Sequence, residues 1–156
     1  VKIAFAFFGG HKEEWLSLFT DEYVKKIGHF YPVEIIRVKT SRQARASAIQ
    51  KQIEESGNLL KILKKDDVVV LCDERGEQLN SLQLSDKLVK FCERGKSRVI
   101  FVVGGAFGFS DEVRQRAEWQ WSLSKLVFNH HVAQAVVLEQ IYRAFTIWKN
   151  IPYHNE

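Results

Sequence analysis

Short continuous apolar runs alternate along the chain with stretches in which apolar residues recur every three to four positions. Residues 1–8 form a β-rich run that reads as a buried first strand. After Gly9-Gly10, residues 13–27 place Trp15, Leu18, Phe19, Tyr23 and Ile27 at helical spacing. Pro32 breaks the chain, and Val33–Val38, alternating and β-branched, predicts a second strand. A connector beginning at Ser41 leads into a helix through Ile49, Ile53 and Leu60 to about Lys64. Residues 66–72 are a third strand of the continuous apolar kind that is buried on both faces.

The second half repeats the alternation. Ser81 is a candidate N-cap for a helix over 82–94, with Gly95 as its stop signal. Arg98–Val103 predicts a fourth strand, and Ser110 can cap a helix over 111–118. Residues 121–128 have strand-like character towards their end, and His130–Trp148 is a last helix, apolar around most of its circumference. The pattern predicts one α/β domain over residues 1–156 with a largely parallel sheet.

Composition narrows the class. Apolar residues make up 46% and charged residues 27% of 156, as in an ordinary globular domain. No apolar run approaches the ~18 residues of a membrane span, and residues 1–8 are too short for a signal peptide. Two cysteines, Cys72 and Cys92, make neither a disulfide framework nor a CxxC pair and suit a reducing cytoplasm. The histidines at 11, 29, 130, 131 and 154 lack metal-ligand spacing, so no metal site is expected.

Charge is uneven beneath a net +4. Between Ile35 and Ile53 lie Arg37, Lys39, Arg42, Arg45 and Lys51 with no acid, and Arg94, Lys96 and Arg98 form a second basic cluster. Either is a solvated surface or a phosphate-tracking one, since neutralised phosphates dominate nucleic-acid affinity. In open α/β sheets ligands bind beyond the carboxyl ends of the strands. Two loops are expected there, residues 72–77 and the glycine loop Gly104-Gly105-Ala106-Phe107-Gly108. Neither is a GxGxxG or P-loop fingerprint, so a tight turn and a ligand loop both remain open. Glu139 and Arg143 are spaced i,i+4 on a mostly apolar helix, and Tyr142, Tyr153 and His154 could stack on a base or bond to its edge. The closing Pro152-Tyr153-His154 is either a packing tail or a docked part of a site.

Taken in order, Cys72-Asp73-x-x-Gly76 with Ser81, Gly104-Gly105-Ala106-x-Gly108-x-Ser110, Trp121-Ser122-Leu123-Ser124, His130, Glu139-Gln140-x-Tyr142-Arg143-Ala144 and Pro152-Tyr153-His154-x-Glu156 form one pattern. It resembles the small SPOUT-class methyltransferases that modify N3 of a pseudouridine in large-subunit (23S) ribosomal RNA, over essentially the whole chain. The resemblance implies an α/β knot fold with a C-terminal trefoil knot, a homodimer, and S-adenosyl-L-methionine as methyl donor. It implies cofactor contacts from Cys72, Gly76, Gly104, Gly108, Leu123, Ser124, Lys125, Leu126, Val127 and Phe128, and catalytic roles for Arg143, Tyr153 and His154. His154 or a nearby water would accept the imide proton, Arg143 would stabilise charge or hold a phosphate, and Tyr153 would pack on base or cofactor. Arg37, Arg42, Arg45 and His130 are the expected contacts to RNA.

The chain departs from the family pattern at Phe107, where an acid is usual, at Gln134, where arginine is frequent, and at Cys72, where an aliphatic residue is usual. The competing class is a non-catalytic RNA- or ribosome-binding protein on a decayed methyltransferase scaffold. A Rossmann-like nucleotide enzyme is disfavoured by the missing fingerprint.

Overall fold

Five apolar strands do pair in parallel, in the order β2-β1-β4-β3-β5. The structure, a computed structural model, describes residues 1–10 and 13–155. Its elements are β1 (Lys2–Phe8), α1 (Glu14–Gly28), β2 (Val33–Val38), α2 (Ala48–Ile62), β3 (Asp67–Glu77), α3 (Ser81–Cys92), β4 (Arg98–Val103), α4 (Asp111–Arg116), β5 (Trp119–Trp121) and α5 (His130–Trp148). Glu156, the last residue of the pattern quoted above, lies outside the described residues.

The two-residue period of β1 divides the core. Ile3, Phe5 and Phe7 pack with residues of α1, α3 and α5, whereas Ala4, Ala6 and Phe8 pack with Leu59 of α2 and Val113 of α4. Both faces of the sheet are therefore covered, which is why its inner strands read as unbroken apolar runs. On α5, Val137, Leu138, Ile141, Ala144 and Phe145 are fully buried, and Phe145 stacks on Phe30 at 5.2 Å. Among the described residues no helix is long and apolar enough to cross a membrane.

Four local expectations need correction. Residues 72–77 are not a loop after β3; the strand runs on to Glu77, with an irregularity between Cys72 and Glu77 where it pairs with Trp121 of β5. Its polar sequence hid a strand whose ladder partner is only three residues long. At Gly76 a Cβ would sit 2.5 Å from the carbonyl carbon and oxygen of Gln120, so only glycine lets β3 approach β5 this closely. β5 itself lies before residues 122–128 rather than at their end, and those residues are irregular. The cap of α3 is Asn80, whose side chain accepts from Gln83 N at 2.8 Å while Gln83 Oε1 accepts from Asn80 N. Ser81 instead donates to Gln140 of α5 at 2.8 Å. Ser110 caps α4 as expected, accepting from Val113 N at 3.3 Å.

The fourth correction concerns the second basic cluster. Arg98 is 4% exposed and is no phosphate-tracking cation. Its Nε donates to Asp67 Oδ1 at 2.8 Å, Nη2 donates to Asp67 Oδ2 and to the Ile62 carbonyl, and Nη1 lies 3.5 Å from Glu34. Lys96 pairs with Asp66 at 3.0 Å, and Arg94 lies over the Phe91 ring. The cluster thus ties the first residues of β3 and β4 together, at the strand ends opposite the glycine loop.

Candidate active site

Beyond the carboxyl ends of β3 and β4 lies a cleft of about 690 Å³. Three segments line it: Cys72 to Arg75 from β3, the glycine loop with Val103 and Phe109, and the irregular stretch 123–130 apart from Lys125. Asp111 and Arg114 of α4, Gln52 of α2 and Ala133 of α5 complete the wall. Of the ten residues expected at a cofactor, Cys72, Gly104, Gly108, Leu123, Ser124, Leu126, Val127 and Phe128 meet here. Gly76 and Lys125 do not line it: Gly76 serves the β3–β5 approach, and Lys125 is exposed. Burial pushes the Cys72 thiol far up, so it stays protonated and acts as a small apolar wall residue.

Each loop glycine has a reason within the chain. A Cβ on Gly104 would fall 2.8 Å from the Phe109 ring, and one on Gly105 would fall 3.1 Å from Glu55 Oε1. Gly108 has φ +73°, a left-handed conformation that side chains resist. The turn is therefore built for packing, and its backbone becomes cleft wall as a result. Helix α2 fixes it in place: Gln52 donates to the Phe107 carbonyl at 2.9 Å, and Ser110 N donates to Ser56 at 3.0 Å. Buried Glu55 accepts from Ser41 N at 2.9 Å, so α2 also holds the start of the basic connector. Sequence reasoning missed Gln52, Glu55 and Arg114, because nothing in a helix face names Phe107, Ser41 or Asp73 as the partner.

At the far end of α5 a second polar group forms. Arg143 grips Glu139 with Nε at 2.9 Å and Nη2 at 3.2 Å, and this hydrogen-bonding raises the guanidinium pKa further. The helix then ends in a left-handed residue, Asn150 at φ 55°, with Ile151 N bonded to the Thr146 carbonyl and Asn150 N to the Ile147 carbonyl. That reversal folds the tail back onto α1 and α5. Tyr153 stands edge-on to Tyr142 at 4.9 Å, shares a 3.1 Å hydrogen bond with Tyr23, and lies under the Arg143 guanidinium at 4.7 Å. Burial, with the Tyr23 hydrogen bond, pushes its hydroxyl up to about 12, so Tyr153 stays neutral. Nη1 of Arg143 is 3.1 Å from Nδ1 of His154. A guanidinium has no acceptor, so Nδ1 accepts and the proton of the neutral ring resides on Nε2. Arg143, Tyr153 and His154 therefore form one contiguous group, as expected of them.

Cleft and tail group do not meet within one chain. His130 opens α5 at the cleft, and Arg143 is thirteen residues further on, about 20 Å along the axis at 1.5 Å per residue.

The residues expected at RNA separate into three environments. Arg42 and Arg45 are exposed in the connector, with no ion pair among the described residues. Arg37 is half-buried on β2 with its guanidinium 5.5 Å from the Phe7 ring; burial lowers its pKa, and its buried Nη2 has no hydrogen-bond partner among the described residues. His130 lies on the cleft against His131 at 4.2 Å, its pKa lowered by partial burial and then by that neighbour. Gln134 is 1% exposed with its Oε1 unpartnered among the described residues, inside the α5 packing rather than at a surface. Among the described residues no group of three His, Cys, Asp or Glu side chains is placed to hold a metal ion.

A parallel sheet with a glycine-turn cleft at its carboxyl edge, closed by the segment that leads into the last helix, defines the class. The family model described as a predicted SPOUT methyltransferase matches residues 1–154, and the chain belongs to the SPOUT methyltransferase family. That membership implies the C-terminal trefoil knot. Three relatives similar to it are each named ribosomal RNA large subunit methyltransferase H. The one from Bdellovibrio bacteriovorus is 50% identical over 144 residues, 92% of either chain. Those from Geotalea daltonii and Geobacter metallireducens are 38% and 37% identical, covering 94% and 99% of this chain and 95% and 99% of theirs. These relatives speak against the reading as a decayed, non-catalytic scaffold.

Proposed function

We propose that this chain is a cytoplasmic, homodimeric methyltransferase that uses S-adenosyl-L-methionine to methylate N3 of a pseudouridine in large-subunit (23S) ribosomal RNA. The observation that carries the reading is the convergence of eight of the ten expected cofactor residues on one cleft. Its ~690 Å³ is in the range of small-molecule sites. Val103, Leu123, Leu126, Val127 and Phe128 offer apolar surface, and the glycine turn offers backbone groups that could hold a purine by its edge. When bound, S-adenosyl-L-methionine supplies a methyl group already activated on sulfonium sulfur.

The protein's task is to orient the attacking nitrogen and manage its proton. While Arg143 donates to Nδ1 of His154, that nitrogen does not take the imide proton, so a water is the acceptor. Arg143 commits three of its five N–H groups to Glu139 and His154, leaving two for the charge that develops on the base or for a phosphate. Tyr153, neutral and ring-exposed to the same group, packs against the base.

The ~20 Å between cleft and Arg143 supports a site completed by a second copy. In a two-fold dimer the tail group of one protomer faces the cleft of its partner. Arg42 and Arg45, free of carboxylates, track RNA phosphates, with Arg37 and His130 closer to the bound nucleotide.

Titration calorimetry with S-adenosylhomocysteine, followed by methyl transfer to ribosomes lacking the modification, tests the reading. Saturable binding and one methyl per ribosome are expected. Absence of binding by both S-adenosylhomocysteine and S-adenosylmethionine would overturn it.

A further inference from the structure

We propose that Asp73 and Arg114 form a subsite that reads the charged amino-acid end of the methyl donor, Arg114 taking its carboxylate and Asp73 its ammonium. The inference rests on the cofactor reading above and assigns residues to a part of the ligand that the glycine turn and the 123–128 segment leave unaddressed.

The cleft is divided by chemistry. Its apolar and backbone wall comes from 103–109 and 123–128, whereas Asp73 and Arg114 stand on the side made by the end of β3 and by α4. Their side chains are only 7% and 17% exposed, yet both line the cleft. Asp73 is held at one oxygen by the backbone N–H of Arg75 at 2.8 Å and at the other by Arg114 Nη1. That same Nη1 donates to Gln120 Oε1 at 3.2 Å.

The contrast with the buried pair at the other end of the sheet is informative. Arg98 presents both Nε and Nη2 to Asp67 and spends its remaining reach on Ile62 and Glu34, so its fork is filled by protein. Arg114 touches Asp73 with one corner. Among the described residues nothing accepts from its Nε or Nη2, the edge of the guanidinium that grips a carboxylate side-on. A partly buried pair assembled only for stability would gain by filling that fork, because desolvated charges are repaid only by full hydrogen bonding. The Asp73 carboxylate likewise has lone pairs beyond the Arg75 N–H and the Arg114 ion pair. Two opposite charges held side by side, each with unused capacity, complement a zwitterion.

The test compares S-adenosylhomocysteine with 5′-methylthioadenosine, which keeps the adenosine and thioether and lacks the amino-acid end, by calorimetry on the full-length protein. Wild type should prefer S-adenosylhomocysteine by at least about tenfold, the scale of charge-assisted hydrogen bonds. Arg114→Gln should lose about that factor for S-adenosylhomocysteine and change less than about twofold for 5′-methylthioadenosine, with Arg114→Lys between. Equal losses for both ligands, or none, would make the pair mere wall structure and overturn the inference while the cofactor reading stands. Failure of wild type to bind either ligand would remove both. Should Arg114→Gln not fold, decarboxylated S-adenosylhomocysteine on wild type decides: binding as tight as the parent overturns the carboxylate contact, and a tenfold-order loss supports it.

Discussion

Arg143→Ala should lower methyl transfer by about 10²- to 10³-fold, the scale of losing one preorganised donor at a site of developing charge, while S-adenosylhomocysteine binds as to wild type. The separation of effects follows from position. Arg143 is one helix length from the cleft of its own chain, so its removal leaves the cleft lining untouched. Locally the loss is large: Glu139 loses its two-point partner, the Tyr153 ring loses the cation above it, and His154 loses the donor that fixes its tautomer. Arg143→Lys should recover little, because a point charge cannot hold Glu139 and His154 at once. Single-turnover methylation beside calorimetry reads both quantities; a matching fall in cofactor affinity would make Arg143 a cofactor-binding residue rather than one acting on the base.

Arg98→Ala should destabilise the fold by about 3–5 kcal/mol, the cost of breaking a buried ion pair from one side. Asp67 is 2% exposed and its carboxylate would keep, among the described residues, only the Lys64 N–H as a hydrogen-bond partner, and the Ile62 carbonyl would lose its Arg98 donor. Arg98→Met with Asp67→Asn should be milder than Arg98→Ala, since the uncompensated charge goes with its partner. Urea unfolding measures both, and a loss below 1 kcal/mol for Arg98→Ala would mean that water reaches Asp67.

These two arginines show where sequence stops being legible. Both lie in strongly apolar elements whose limits the sequence pattern predicts: Arg98–Val103 and His130–Trp148. The carboxylate that Arg98 grips, Asp67, is thirty-one positions away, so in the sequence Arg98 reads as surface. For Arg143 the partner was four residues along, at helical spacing, and the pairing was readable. The same logic separates the strands. Inner strands announce themselves by continuous burial, whereas the outer part of β3 is polar and β5 is only Trp119-Gln120-Trp121, a strand because β3 pairs with it. In the cleft, the glycine turn was visible, but the α2 side chains that hold it and the Asp73–Arg114 pairing were not, being long-range contacts between individually ordinary residues.

In the proposed dimer, one protomer's cleft works with its partner's Arg143 group. Co-expression of two inactive variants under separate tags tests it directly: Arg143→Ala, and Ala106→Trp, which fills the cleft from an exposed loop position and should abolish S-adenosylhomocysteine binding. With statistical pairing, half of the dimers are mixed and each carries one intact composite site, so methyl transfer should return to about a quarter of wild type. A mixed preparation no more active than either variant alone would contradict the shared site.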